Sequence, residues 1–256
     1  MISKNQIKYI RQLEQKKFRH REGLFVAEGT KVVGDLLAHY QPHSIFATPE
    51  WLSSNATEES SKLKDTSSKF KVTIVSPDEL RRISFQQHPQ QVLALFPIPD
   101  SSYHKVESLT LALDGIQDPG NLGTIIRIAD WFGITDIFCS EDTVDAWNPK
   151  VVQATMGSIS RVHIIYCNLS ELIGSLPEDF PVYGTLLDGD NIYTQPLTPH
   201  GLIVMGNEGN GISPEIRSKV NRRLLIPSYG QEDTAESLNV AIATAITCAE
   251  FRRRTP

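Results

Sequence analysis

Short apolar runs alternate with helix-spaced apolar residues along the whole chain, and the alternation becomes regular beyond Phe96. Before that point the pattern predicts a helix over 4–14, then a basic turn, an extended segment over 24–27 and a helix over 30–38. Residues 44–47, 72–75 and 91–96 read as short apolar strands. Ser76-Pro77-Asp78-Glu79 places an N-cap serine, a first-turn proline and a glutamate at the third helical position, which together start a helix. Residues 53–71 are rich in Ser, Thr, Lys and Glu without apolar periodicity and read as a mobile loop.

Pro97 and Pro99 stand among polar residues that neither pair into a sheet nor continue a helix, so a linker is expected. The expected division is a first domain over 1–98, a linker over 99–106 and a second domain over 107–256. Past the linker, strands are predicted over 109–113, 136–139, 162–165, 182–187, 201–205 and 224–226. Helices are predicted between them, near 123–132, 149–156, 169–176 and 214–220. A last helix over 237–252 aligns Leu238, Ala241, Ile242, Ala245, Ile246 and Ala249 on one stripe. Apolar strands alternating with helices make an α/β fold with a parallel sheet covered on both faces.

Composition narrows the class of protein. Among 256 residues, 40% are hydrophobic and 21% charged, ordinary values for a globular chain. No apolar run approaches the roughly 20 residues that span a bilayer, so no membrane partner is expected. Met1-Ile2-Ser3-Lys4-Asn5 leads into no apolar segment, and no secretory signal is expected. Cys139, Cys167 and Cys248 lie far apart and read as free thiols of a cytoplasmic protein. The net charge of −5 hides an uneven distribution. Lys4, Lys8, Arg11, Lys16, Lys17, Arg19 and Arg21 face Glu14 alone in the first 21 residues. Further cations gather at Arg217, Lys219, Arg222 and Arg223 and at Arg252, Arg253 and Arg254. Phosphate attraction depends on such local potential rather than on the total.

Candidate chemistry concentrates where three apolar strands give way to helices. These junctions are Asp118-Pro119-Gly120-Asn121-Leu122-Gly123, Gly206-Asn207-Glu208-Gly209-Asn210-Gly211 and Glu236-Ser237-Leu238-Asn239-Val240. In open α/β sheets the carboxyl ends of strands are where ligands bind, so the three suggest one composite site. No GxGxxG follows the first strand of the parallel sheet, no Lys-Ser/Thr completes a phosphate loop, and no Gly-x-Ser-x-Gly elbow is present. Scattered histidines and cysteines give no metal-ligand spacing, and no metal is expected.

Taken in order, Asn121-Leu-Gly-Thr-Ile-Ile-Arg127, Val204-Met-Gly-Asn-Glu-Gly-Asn-Gly-Ile-Ser213 and Ile226-Pro227 with Ser237-Leu-Asn-Val-Ala241 resemble the three motifs of the SpoU (TrmH-like) branch of SPOUT RNA methyltransferases. The first domain also resembles the substrate-binding domain that often precedes this catalytic domain, through Ser3, Asn5, Leu13, Lys16, Lys17, Arg19, Gly23-Leu-Phe-Val26 and Glu28-Gly29. The resemblance implies transfer of a methyl group from S-adenosylmethionine to a ribose 2′-hydroxyl of RNA, ribosomal RNA first and transfer RNA next. It further implies a homodimer and a trefoil knot in the catalytic domain.

The same carry-over makes Asn121, Arg127, Glu208, Ser237 and Asn239 the expected catalytic set. Gly206, Asn207, Gly209, Ile226 and Leu238 would hold the cofactor, largely through backbone groups. Lys16, Lys17, Arg19 and Arg21 would form an RNA-facing patch. Arg127 suits gripping a phosphate and positioning the nucleophile, since a guanidinium stays charged; the general base is left open. Asn121, Ser237 and Asn239 suit orienting a ribose, and Glu208 would answer the cationic side of the site, including Arg127. Gly206 and Gly209 would let the chain turn tightly. Taken singly, each has a plainer reading: Asn121 as a turn residue, Glu208 as an exposed loop acid, Ser237 as the N-cap of the last helix.

Residues 228–236 exceed the family's usual link and bring Glu232 and Asp233 toward the cofactor loop, at a cost in phosphate attraction. A non-catalytic RNA-binding protein of the same fold and a base-nitrogen methyltransferase are the competing readings.

Overall fold

The computed structural model describes residues 2–54, 71–100, 105–230 and 236–254. It divides into two units, one made of Met1–Asp100 with Asp145–Ser160 and the other of Ser101–Val144 with Arg161–Pro256.

In the first unit, α1 (Lys4–Gln12) begins at a capping box in which Ser3 and Gln6 bond each other's backbone. Then come α2 (Lys16–Glu22), β1 (Leu24–Glu28), α3 (Thr30–Leu37), β2 (Ser44–Ala47) and α4 (Pro49–Ser54). After them lie β3 (Lys71–Ile74), α5 (Pro77–Ile83) and β4 (Val92–Pro97). The predicted start of α5 holds: Ser76 and Glu79 form a capping box with Pro77 in the first turn. The strands make a mixed sheet of order β1-β4-β2-β3, antiparallel except between β2 and β3. Its core gathers Ile10, Leu13, Val26, Phe46, Leu80 and Leu93.

Two helices of this unit were not expected. The segment read as a basic turn is α2, whose inward residue is Arg19, and α4 is anchored by buried Trp51. The loop expected over 53–71 falls outside the described residues between 55 and 70, and its ends belong to α4 and β3. Residues 101–104 of the expected linker also lie outside them.

The second unit starts with β5 (Leu109–Asp114), α6 (Pro119–Trp131) and β6 (Asp136–Cys139). The chain between β6 and β7 (His163–Tyr166) contributes residues 145–160 to the first unit, including the short helix α7 (Pro149–Ala154). The order continues with α8 (Leu169–Gly174), β8 (Val182–Asn191), β9 (Gly201–Gly206), α9 (Pro214–Arg217), β10 (Arg222–Leu225) and α10 (Val240–Arg254). All six strands run parallel in the order β10-β8-β9-β5-β6-β7, as the alternation predicts. The central strands β5 and β9 are buried along their whole length, as a sheet covered on both faces requires.

The last helix turns a different face inward from the one its apolar stripe predicts. Val240, Ala241, Thr244, Thr247, Cys248 and Phe251 are buried, while Ile242 and Ala249 are exposed. Thr244 and Thr247 donate to the carbonyls of Val240 and Ala243 at 2.7 and 2.8 Å, so their hydroxyls enter the interior already satisfied.

Candidate active site

The three junctions meet at the carboxyl ends of β5 and β9. Asp118 caps α6 by accepting from the Asn121 backbone at 2.8 Å, and Pro119 occupies the first turn. The cap is therefore Asp118, and the Asn121 side chain is released for other partners. Its Nδ2 donates to Glu208 Oε1 at 2.9 Å, and its Oδ1 accepts from Asn239 Nδ2 at 2.9 Å. Glu208 also accepts from the backbone of Gln117 and Asp118, both at 3.4 Å. Asn239 caps α10, accepting from Ala241 at 2.9 Å and Ile242 at 3.3 Å. One relay, Asn239 to Asn121 to Glu208, thus joins all three motifs. Asn239 fills the capping role expected of Ser237, whose side chain makes no hydrogen bond among the described residues.

Arg127 lies on α6, exposed and without an ion pair among the described residues. Glu208 does not answer it, because the Glu208 carboxylate is committed to Asn121 and to the start of α6.

The loop after β9 is fixed by Asn207. Its Nδ2 donates to the Gly115 carbonyl at 2.6 Å, and its Oδ1 accepts from Gly209 and Asn210 at 2.9 and 3.0 Å. The Asn207 and Gly211 backbones exchange hydrogen bonds at 2.9 and 3.0 Å. A Cβ on Gly206 would stand 2.2 Å from Gly211 C, so only glycine allows the loop to fold back there. The left-handed residue of the turn is Gly211, at φ +67, and not Gly209, where a Cβ would meet nothing closer than 3.6 Å. Asp114, at the end of β5, accepts from the Ser213 backbone at 2.7 Å and ties the first junction to the second. The sequence pattern alone did not single it out; an acid closing a buried, mostly apolar strand was the available signal.

Between this loop, the ends of β8 and β10 and the approach to α10 lies a cavity of about 390 Å³, within the ordinary range for a small-molecule site. All five residues expected at the cofactor line it: Gly206, Asn207, Gly209, Ile226 and Leu238. Glu208 and Ser237 line it as well. Apolar walls with backbone N–H and C=O groups at one side suit an adenosyl group joined to a sulfonium, so the residues fit S-adenosylmethionine. Glu232 and Asp233 of the longer link lie outside the described residues.

Of the expected RNA patch, Lys16, Lys17 and Arg21 are exposed. Arg19 is not: it is 1% exposed, and its guanidinium donates to Asp145, Leu13 O and Glu14 O. A buried arginine so committed reaches no phosphate. The terminal arginines are likewise engaged within the second unit, Arg252 on the Phe132 and Gly133 carbonyls and Arg253 and Arg254 on Glu250. Among the described residues no group of histidines, cysteines and acids is arranged to hold a metal, and no helix is long and apolar enough to cross a membrane.

This sheet order, glycine loop and capped terminal helix resemble those of a class of α/β RNA methyltransferases. The chain belongs to the SpoU rRNA methylase family, whose model matches residues 108–249; a model for an MRM3-like substrate-binding domain matches residues 4–94. It is 30% identical to the 23S rRNA (guanosine(2553)-2′-O)-methyltransferase RlmP of Bacillus subtilis over 98% of this chain and 97% of that protein. Its fold is similar to that of a Porphyromonas gingivalis protein assigned to the TrmH family of RNA methyltransferases, with TM-score 0.88 and 42% identity over 99% of both chains. An AdoMet-bound rRNA methyltransferase from Sinorhizobium meliloti is also similar, with TM-score 0.86 and 30% identity over 100% of this chain and 98% of that one.

Proposed function

We propose that this protein transfers a methyl group from S-adenosylmethionine to a ribose 2′-hydroxyl of ribosomal RNA, with transfer RNA the next substrate to test. The observation that carries the reading is the Asn239–Asn121–Glu208 relay, built from all three motifs, whose Glu208 lines the cavity. When bound, the cofactor supplies an electrophilic methyl on a sulfonium. The backbone of the loop after β9, with Ile226 and Leu238, would hold it. A ribose hydroxyl is a weak nucleophile, so positioning dominates what the protein must provide. Asn121 and Asn239 are neutral and mutually fixed, suited to orienting the ribose without drawing its proton into an ion pair. Arg127, uncommitted among the described residues, suits gripping the flanking phosphate in a bidentate pair.

The proposal extends to assembly. Trp131 at the end of α6 is 84% exposed and Ile242 on α10 is 52% exposed. These two helices pack on each other, and their uncovered apolar residues support a homodimer. The proposal includes a trefoil knot in this part, which the return of the chain from β10 at the sheet edge to α10 against α6 and β9 supports. Residues 1–98 would act as the RNA-binding part and 107–256 as the catalytic part, working in the cytoplasm, with Lys16, Lys17 and Arg21 facing the substrate.

Calorimetric titration with S-adenosylmethionine, followed by transfer of labelled methyl to deproteinised ribosomal RNA, tests the reading. One site per chain and 2′-O-methylnucleotide on digestion are expected. Arg127→Ala should abolish transfer while keeping cofactor affinity; loss of both would reassign Arg127, and methyl found on a base would overturn the ribose chemistry.

A further inference from the structure

A second cavity, of about 290 Å³, lies in the first unit between the segment after α5 and α7. Its lining is mixed. Val26, Pro149 and Ala154 are apolar, Phe85 is aromatic, Gln86 and Gln153 are amides, Glu28 is a buried acid held by Ser84 and the Phe85 backbone, and Lys150 is an exposed cation. Gln86 Nε2 donates to Gln153 Oε1 at 2.7 Å, which leaves Gln86 Oε1 as an acceptor and Gln153 Nε2 as donor without partners among the described residues.

Both walls are fixed from behind. Buried Glu28 accepts from the Phe85 backbone at 2.7 Å and from Ser84 Oγ, while Ser84 Oγ accepts from the Gln86 backbone at 3.0 Å. Arg11 donates to the Ser84 carbonyl and lays its guanidinium 4.7 Å from the Phe85 ring centre. On the other side the buried Arg19–Asp145 pair and the Trp147 ring, 4.8 Å from Phe25, hold the chain that leads into α7.

A ring to stack on, a donor beside an acceptor and a nearby cation are the parts by which proteins read splayed-out RNA bases. An aliphatic ligand would cover the half-buried amide pair and leave its free donor and acceptor unsatisfied, which a base does not. Every nucleobase sets a donor beside an acceptor on its Watson–Crick edge, the complement of Gln86 Oε1 and Gln153 Nε2. We propose that this cavity receives one unpaired nucleobase of the RNA, stacked on Phe85 and Pro149, bonded by Gln86 and Gln153, with Lys150 on a neighbouring phosphate. The inference rests on the RNA substrate proposed above.

The test compares full-length wild type with Gln153→Leu, close in size, and Lys150→Ala, at an exposed position where folding is not at stake. Each is assayed for methyl transfer to deproteinised ribosomal RNA. Cofactor calorimetry serves as the check of folding. For Gln153→Leu, KM for RNA should rise about tenfold, the scale of breaking a paired donor–acceptor contact to a base edge. For Lys150→Ala, the slope of log affinity against log salt should fall by about 1. Unchanged KM and unchanged slope, with wild type active, overturn the base site and leave the enzymatic reading standing. Should wild type methylate no RNA, the enzymatic reading is what fails. Titration with the four nucleoside 5′-monophosphates then decides the cavity alone: shifted Gln153 side-chain amide resonances support the site, and unmoved ones overturn it.

Discussion

Asn239 holds the start of α10 with its oxygen and Asn121 with its nitrogen, so a single side chain fixes both a helix and the relay proposed to orient the ribose. Asn121 is the central link to disturb, because it bonds on both sides. Asn121→Ala should lower the transfer rate by about 10²-fold, the scale of a misplaced reacting group, while calorimetry still finds the cofactor site; a rate within twofold of wild type would remove the relay from the mechanism. These residues were legible in the sequence because small and neutral polar types clustered at strand ends. Asp114 and Gly211 were not, since their importance lies in a backbone contact across the loop.

Glu28 allows a prediction of opposite character. Burial raises its pKa above the ordinary carboxylate value of 4.5, against the lowering effects of Ser84, the Phe85 backbone and Arg11. The folded state therefore holds the proton more tightly than the unfolded chain. Stability from this group is full below about 4.5 and declines as pH rises through the raised value. The Tm of wild type relative to Glu28→Gln should accordingly fall between acid and neutral pH; a difference independent of pH would refute the raised value.

At the scale of elements, α2 shows where reading a sequence fails. Its inward position is an arginine, so apolar periodicity is missing, and the residue that makes burial tolerable, Asp145, lies 126 positions away. The pair also fixes residues 145–160 in the first unit, although in chain order they fall between β6 and β7 of the second. Removing one partner of a buried pair leaves the other charged and uncompensated. Arg19→Ala should therefore destabilise by about 3–5 kcal/mol in urea unfolding, and Arg19→Met with Asp145→Leu should recover most of it. A loss below about 1 kcal/mol, the scale of an exposed pair, would mean the site is wetter than its burial indicates. The last helix failed in the complementary way: its threonines satisfy themselves on their own backbone, so polar residues turn inward and Leu238, Ile242 and Ala249 of the apolar stripe are left outside.

That misplaced stripe matters most at the scale of the whole molecule. α6 and α10 run side by side in the same direction, joined at their starts by Asn121 and Asn239 and at their ends by Arg252 on the Phe132 and Gly133 carbonyls. Ile242 near one end of this pair and Trp131 near the other remain uncovered, and Arg127 is exposed on the same helix as Trp131. In a lone chain, Trp131→Glu replaces an 84% exposed side chain and should cost no more than about 0.5 kcal/mol. In the proposed dimer the same change would push a carboxylate into an apolar interface, where an unpaired charge is far more costly. Light scattering should thus give two chain masses for wild type and one for Trp131→Glu, with melting hardly altered when measured at high dilution. If the homodimer completes the site around Arg127, methyl transfer should disappear with the dimer. A wild type that scatters as a single chain yet methylates RNA would show that α6 and α10 serve the site without a second copy.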